Sequence, residues 1–318
     1  MHTGGFLLAV SAGSDGEIFG TRATHVQAAV VKSFVPGRPH WWQWPTVLSL
    51  DAPAVALLWQ WLLARVAHTP LAWPQVFILG AATWLAYAAD RWIEGWRLSP
   101  AQVLTQRHWF YQHRRWPAFV AWLGVLTVAL AVAFTRLNSR ELSAGLLVLA
   151  PVLVYLLSHQ LLHRGHPWRA PKELCVALLF AAGVACFPLA RDPGVLRPLA
   201  APLVLFGALC LANCALISLW ESEVDHAHGQ TSLALQYPRG RQLVHALPWL
   251  LAALAAGSAV LETRIARTTA LCAATSGVLL GMVDFAHARS GRQLARVLAD
   301  VALMTPLVPL LAWWLFQR

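Results

Sequence analysis

Residues 199–233 read LAAPLVLFGALCLANCALISLWESEVDHAHGQTSL. The first 22 of these residues carry no charge, and a helix of that length crosses the hydrocarbon core of a bilayer. The run ends at Glu221, where three acids and two histidines follow within eight residues. The stretch therefore predicts a transmembrane helix whose end presents a cluster of carboxylates.

The rest of the chain repeats this apolar pattern. Of its 318 residues 58% are hydrophobic and 12% are charged, which is too little charge to cover a soluble domain of this length. Because backbone in lipid must satisfy its own hydrogen bonds, long apolar blocks indicate helices. We therefore predict an all-α, polytopic membrane helix bundle of about nine transmembrane helices, with spans near 47–65, 72–92, 117–135, 143–162, 173–190, 199–220, 243–261, 268–286 and 298–315.

The segment before the first apolar block has a different composition. Residues 5–11 are mildly apolar, but small and acidic residues follow them and no basic segment precedes them, so the pattern is not that of a signal peptide. We expect residues 1–44 to form a poorly ordered tail and residues 45–318 to form a single nine-helix transmembrane domain.

Basic residues predict the orientation of the bundle. With nine spans, 16 of the 24 Lys and Arg residues fall on the side of the N-terminus and the ends of the even-numbered helices. The positive-inside rule then places the N-terminus and the acidic clusters in the cytoplasm, as expected for an integral protein of a bacterial inner membrane. The net charge of +10 is explained by topology and by contact with anionic membrane lipids, so we expect no nucleic-acid partner.

Two acidic clusters end the second and sixth predicted helices. Asp90 and Glu94 are four residues apart, as are Glu221 and Asp225, so each pair projects from one helix face. Like charges at that spacing repel, more strongly at low dielectric, and require a compensating cation. That cation is either a divalent metal held by all four carboxylates or a nearby arginine such as Arg91.

Other polar residues are weaker candidates. His159 and His163 have helical i, i+4 spacing, but membrane di-iron enzymes use several histidine boxes, so we do not predict an iron site. An acidic residue within a transmembrane span is a functional candidate by default. The candidates of this kind are Asp51, Asp284 and Asp300.

The first cluster resembles a motif of the UbiA superfamily of intramembrane prenyltransferases, which are bundles of nine helices with aspartate-rich motifs after helices 2 and 6. The family motif Asn-Asp-x-x-Asp-Arg-x-x-Asp aligns with residues 86–94, AYAADRWIE. Asp90 and Arg91 match it, Glu94 replaces Asp, and the leading Asn-Asp is absent.

The second cluster resembles the other family motif, Asp-x-x-x-Asp-x-x-x-Gly followed by a Thr-Leu-like pair. Here the matching residues are Glu221, Asp225 and Gly229, then Thr231 and Leu233 with one residue inserted. Helix count, motif position and motif order agree over about residues 45–315.

The resemblance implies a Mg²⁺-dependent enzyme that moves an isoprenoid from a prenyl diphosphate to a lipophilic, commonly aromatic, acceptor. It implies metal ligation by Asp90, Glu94, Glu221 and Asp225, with Asp90 and Asp225 as the catalytic acids. It also implies substrate-binding roles for Tyr87, Arg91, Arg107 and Lys172, the last in a basic segment that opens the fifth helix.

The departures from the motifs leave other functions open. Tyr87 stands where the family has an acid, and Glu reaches one methylene further than Asp at two positions, which can displace a metal. One alternative is a non-catalytic relative that binds an isoprenoid lipid or a quinone. A small transporter is a further alternative, although the chain shows no internal repeat beyond the two acidic clusters.

Overall fold

The computed structural model describes residues 39–98, 103, 105–158, 171–228, 232–262 and 264–316. All regular structure in these ranges is helical, which confirms the all-α prediction. The first seven helices are α1 Trp44–Val47, α2 Asp51–Val66, α3 Trp73–Arg97, α4 Gln106–His113, α5 Arg115–Arg136, α6 Ser139–Leu157 and α7 Lys172–Arg191. The other seven are α8 Leu196–Trp220, α9 Ser222–Ala227, α10 Leu233–Gln236, α11 Arg241–Leu261, α12 Arg264–Ser290, α13 Arg292–Ala302 and α14 Leu307–Phe316.

The apolar helices agree with the predicted spans, but the number of crossings does not reach nine. In the described ranges α5, α6, α7, α8, α11 and α12 are long and apolar enough to cross a membrane. Two bent pairs, α1 with α2 and α13 with α14, raise the number to eight. The remaining predicted span, 72–92, coincides with α3, which ends in charged residues and is not apolar enough to be counted among these helices. Nine crossings are therefore not confirmed.

Helix α8 lies at the centre of the bundle. It packs against α2, α7, α11 and α12, and half of its apolar window is buried. On its face towards α2, Phe206 stacks on Trp59 with ring centroids 4.8 Å apart, and both side chains are fully buried. Few residues of α5 and α6 are fully buried, as expected for apolar helices that face lipid.

Two of the candidate spans are bent at a short break. Helices α1 and α2 meet at 77° around Ser49, which has a left-handed φ of 60°, and α13 and α14 meet at 46°. The breaks free backbone groups that need partners within the membrane. Trp59 Nε1 donates to the Leu303 carbonyl at 2.8 Å, and Arg91 donates to the Thr46 carbonyl and, at 3.0 Å, to Ser49 Oγ.

Helix α6 is fixed at its first turn. Asn138 caps the helix by accepting from the Glu141 backbone N–H at 2.9 Å. The buried Glu141 carboxylate accepts from Gln75 Nε2 at 2.7 Å and from Arg191 Nε at 3.1 Å, and so ties α6 to α3 and to the end of α7. Beyond that turn α6 packs mainly on α7 and barely touches α3.

Candidate functional site

A cavity of about 190 Å³ lies among α2, α3, α4, α7, α8 and α13. Every site residue predicted from the sequence lines it, although the first lies on α3 and the last on α9, with five helices between them along the chain. The predicted residues in its wall are Tyr87, Asp90, Arg91, Glu94, Arg107, Lys172, Glu221 and Asp225. The structure thus brings the two acidic clusters to one space, while their roles stay a proposal.

Glu221 lies between two arginines from different elements. Its Oε2 accepts from Arg107 at 3.1 Å and from Arg296 at 2.6 Å. Burial alone would raise the pKa of Glu221, but the two guanidinium groups outweigh it and hold the pKa well below its usual range. Burial, followed by the charge of Arg296, lowers the pKa of Arg107. These three side chains form a buried ion triad that links α4 and α13 to the end of α8.

Glu94 is paired with a histidine that the sequence analysis did not select. His108 Nε2 lies 2.8 Å from Glu94 Oε2, and its Nδ1 lies 2.7 Å from the hydroxyl of Thr105, the cap of α4. Burial lowers the pKa of His108 to about 4, so the neutral ring donates to Glu94 and accepts from Thr105. Gly95 permits this approach, since a Cβ there would lie 3.2 Å from the His108 carbonyl oxygen.

Helix α7 brings a cation and an acid to the cavity in consecutive residues. Lys172 Nζ donates to Asp225 Oδ2 at 3.3 Å. Glu173 is fully buried and accepts from the Leu233 backbone N–H at 3.0 Å through Oε1. Its Oε2 has no hydrogen-bond partner within the described ranges.

Arg91 lines the cavity but contacts the break between α1 and α2. Besides its bonds to Thr46 and Ser49, it lies 3.8 Å from Asp51. It is therefore not the arginine that compensates Glu94, and its contacts stabilise irregular backbone. Arg107 and Lys172, by contrast, pair with the acids of the second cluster.

An apolar groove continues from the polar cavity. It has a volume of about 180 Å³, runs between α3, α6 and α7, and shares Tyr87, Asp90, Tyr155 and Phe180 with the cavity. Tyr87 stands at the junction, where its ring meets Phe180 edge-on at 5.8 Å and lies under the Arg91 guanidinium. The arrangement provides a polar head space joined to a space for an aliphatic tail.

Several lining residues were missed or left undecided by the sequence analysis. Asp51 and Asp300, noted only as acids within spans, both line the cavity, together with Asn213. A polar amide in the middle of the uncharged run 199–220 was the signal for Asn213. The third such acid, Asp284, instead lies 2.6 Å from His245 outside the cavity. His159, His163, Gly229 and Thr231 lie outside the described residues.

The chemistry of the lining fits a hard divalent cation. It carries seven carboxyl groups and four cationic side chains, and carboxylate oxygens are the ligands that Mg²⁺ prefers. No three His, Cys, Asp or Glu side chains in the described part of the chain lie close enough to hold a metal by themselves. Because Mg²⁺ keeps waters and takes substrate phosphates, these acids suit an ion that shares its ligands with a diphosphate.

Comparison with known proteins gives one structural likeness. No protein-family model and no curated protein sequence matches the chain. Among solved structures, the apo structure of a UbiA homolog from Aeropyrum pernix K1 matches with a TM-score of 0.54 and 16% identity, over 80% of this chain and 96% of that one. The likeness confirms the fold that the resemblance implied. This chain is an integral membrane protein with the helix-bundle fold of a UbiA homolog.

Proposed function

We propose that the chain is a Mg²⁺-dependent intramembrane prenyltransferase that moves an isoprenoid from a prenyl diphosphate to a lipophilic acceptor. The observation that carries the proposal is the continuity of the acid-rich cavity with the apolar groove. A prenyl diphosphate has the same division into a charged head and an aliphatic tail. Each methylene buried in such a groove contributes about 0.8 kcal/mol.

The ion pairs in the cavity are compatible with such a ligand. Arg107 with Glu221 and Lys172 with Asp225 each place an acid opposite a base. A metal diphosphate inserted between them would leave the acids facing the metal and the bases facing phosphate oxygens. Arg107 would contact phosphate through its planar fork and Lys172 as a point charge.

The chain's own residues would then orient and shield the reacting group. Asp90 belongs to both the cavity and the groove, so it marks the point where the diphosphate would join the tail. Tyr87 and Phe180 form the wall there and would exclude water from the allylic carbon. When bound, Mg²⁺ would neutralise the departing diphosphate. We place this polar end on the cytoplasmic side, following the distribution of basic residues.

Binding of radiolabelled geranylgeranyl diphosphate to the purified protein tests the proposal. We expect binding in Mg²⁺ that is lost in a chelator and lost in Asp90→Asn and Asp225→Asn. A matched control is Asp192→Asn, because Asp192 lies outside the cavity and caps Gly194 through an oxygen that Asn retains. Binding that survives the chelator and both cavity substitutions would rule out the metal–diphosphate site.

A second candidate is a non-catalytic protein that binds an isoprenoid lipid or quinone. It is favoured by the pairing of Glu94, Glu221 and Asp225 with side chains of the same chain. In that case the groove would hold a lipid and the ion pairs would only stabilise the fold. Mass spectrometry of co-purified lipids distinguishes the two candidate functions. If the protein only binds a lipid, Asp90→Asn should leave the content of that lipid unchanged.

A further inference from the structure

A second cavity, here called the outer cavity, adjoins the central cavity that holds the acidic clusters. Its volume is about 420 Å³, more than twice that of the central cavity and within the range of about 300–1,000 Å³ that holds small ligands. Its wall is formed by residues 40–47, the start of α4, the segment after α8 and the first turns of α13. Arg107, Glu221 and Arg296 line both cavities, so the ion triad is the wall that they share.

The lining of the outer cavity is positively charged. Its described residues include three arginines, Arg107, Arg292 and Arg296, and a single carboxylate, Glu221. Two of these arginines share that carboxylate. Arg292 lies 3.7 Å from the exposed Glu223, which is beyond hydrogen-bond distance. Even with Glu223 counted, the arginines outnumber these carboxylates by three to two, which leaves a positive charge for a ligand to balance.

Hydrogen-bond donors accompany this charge. Arg107 and Arg296 each donate to Glu221 through one nitrogen atom, and a guanidinium carries five N–H groups. Helix α13 begins at the cavity with Gly291 as its cap, which has no side chain to accept from the first turn. The first backbone N–H groups of α13 therefore have no acceptor within the helix, and they add a partial positive charge. Guanidinium groups together with a helix N-terminus favour phosphate oxygens.

The position of the outer cavity places its ligand at the membrane surface. Trp41 and Trp44, on the segment that lines the cavity, are 84% and 40% exposed. Exposed tryptophans at the end of a span are typical of the bilayer interface. Gln43 Nε2 donates to Gln293 Oε1 at 2.8 Å, which joins this segment to α13. A phosphate bound here would lie at the level of the lipid head groups.

We infer that the outer cavity binds the phosphate group of a ligand from the membrane surface, with Arg107, Arg292 and Arg296 as its cationic contacts. The ligand is either the head group of an anionic phospholipid or a soluble phosphate ester, since both present the same oxygens to the arginines. This site differs from the proposed metal–diphosphate site, because Glu221 is the one acid among the described residues of its lining. The inference does not depend on the proposed function.

Replacement of Arg292 tests the site. Of the two cavities Arg292 lines only the outer one, and its side chain is 41% exposed, so its loss should leave the fold intact. The probes are glycerol 3-phosphate, titrated by calorimetry, and phosphatidylglycerol, detected by native mass spectrometry of the protein in neutral detergent. A chelator in every sample removes Mg²⁺ and with it the proposed diphosphate site. We expect binding that Arg292→Gln weakens about tenfold or more, as for one charge-assisted hydrogen bond.

A matched control keeps the change in net charge but moves it out of the cavity. Arg289→Gln removes the same charge from an exposed residue three positions earlier, outside the lining, and should bind like the wild type. Arg292→Glu, which reverses the charge, is a second variant and should weaken binding further. Binding of glycerol 3-phosphate would show that a soluble phosphate is sufficient, whereas binding of phosphatidylglycerol alone would identify a lipid head group.

Four results would overturn the inference. The first is that neither probe binds the wild type, and the second is that binding is unchanged in both Arg292 variants. The third is an equal loss in Arg289→Gln, which would show that only the net charge of the surface matters. The last is binding that Lys172→Gln abolishes and Arg292→Gln preserves, because the phosphate would then lie in the central cavity.

Discussion

Replacement of Glu221 by Gln isolates the energetic role of the buried ion triad. The substitution keeps the size of the side chain but removes the charge that holds two arginines together. Arg107 and Arg296 have side chains 14% and 17% exposed, and Glu221 is 12% exposed. Without the carboxylate, the two buried guanidinium groups would lose the acceptor that they share and would repel each other.

The size of the effect follows from this burial. Removal of one partner from a buried ion pair costs about 3–5 kcal/mol, because the other charge stays desolvated. The residual exposure of the triad places our expectation at about 3 kcal/mol for Glu221→Gln. Glu223→Gln, two residues away, is the matched control. Its carboxylate is 63% exposed and lies 3.7 Å from Arg292, so its loss should cost less than about 1 kcal/mol.

Denaturant unfolding of the two variants in mixed micelles, followed by circular dichroism, measures the difference. A second substitution, Arg107→Gln in the Glu221→Gln background, should recover part of the loss because it removes one of the unpaired charges. If Glu221→Gln is no more destabilising than Glu223→Gln, the triad does not exist as described. If the double variant is simply additive, the two side chains are not coupled.

Two further predictions concern packing and the groove. Gly277→Ala should destabilise the bundle by about 1–3 kcal/mol in the same unfolding assay, because a Cβ there would lie 2.8 Å from the Pro248 carbonyl oxygen. Gly257→Ala is the control, since its Cβ would meet open space and the change should be neutral or stabilising. Phe180→Ala should raise the affinity for longer prenyl diphosphates several-fold relative to shorter ones, because it widens the junction with the groove. If the ranking of chain lengths by affinity is unchanged, the tail does not lie in this groove.

The sequence was sufficient to predict most of the apolar helices and the convergence of the acids. Long uncharged runs define spans whatever their tertiary contacts, and acids four residues apart must share a helix face. The partners of those acids were not predictable, because pairing depends on which helices become neighbours. Arg296 reaches Glu221 across 75 positions, and His108 reaches Glu94 where Gly95 lets α4 approach closely.

Breaks within spans were also beyond the sequence analysis. The run 298–315 was predicted as one span, yet α13 ends at Ala302 and α14 begins at Leu307. The apolar pattern is the same for a straight and a bent helix, so periodicity does not reveal the bend. Pro306 lies between the two helices, and a distant side chain, Trp59, donates to the freed Leu303 carbonyl.

The weak seam between α6 and α3 has a consequence for how ligands would reach the groove. Its wall of the groove is held by Glu141 and by α7, while its seam with α3 is formed by few contacts. Surrounding lipid acyl chains can therefore compete with a hydrophobic substrate for the groove. If the proposed function holds, rates would then follow the mole fraction of substrate in the bilayer or micelle and not its bulk concentration, so adding inert detergent at constant substrate should slow turnover.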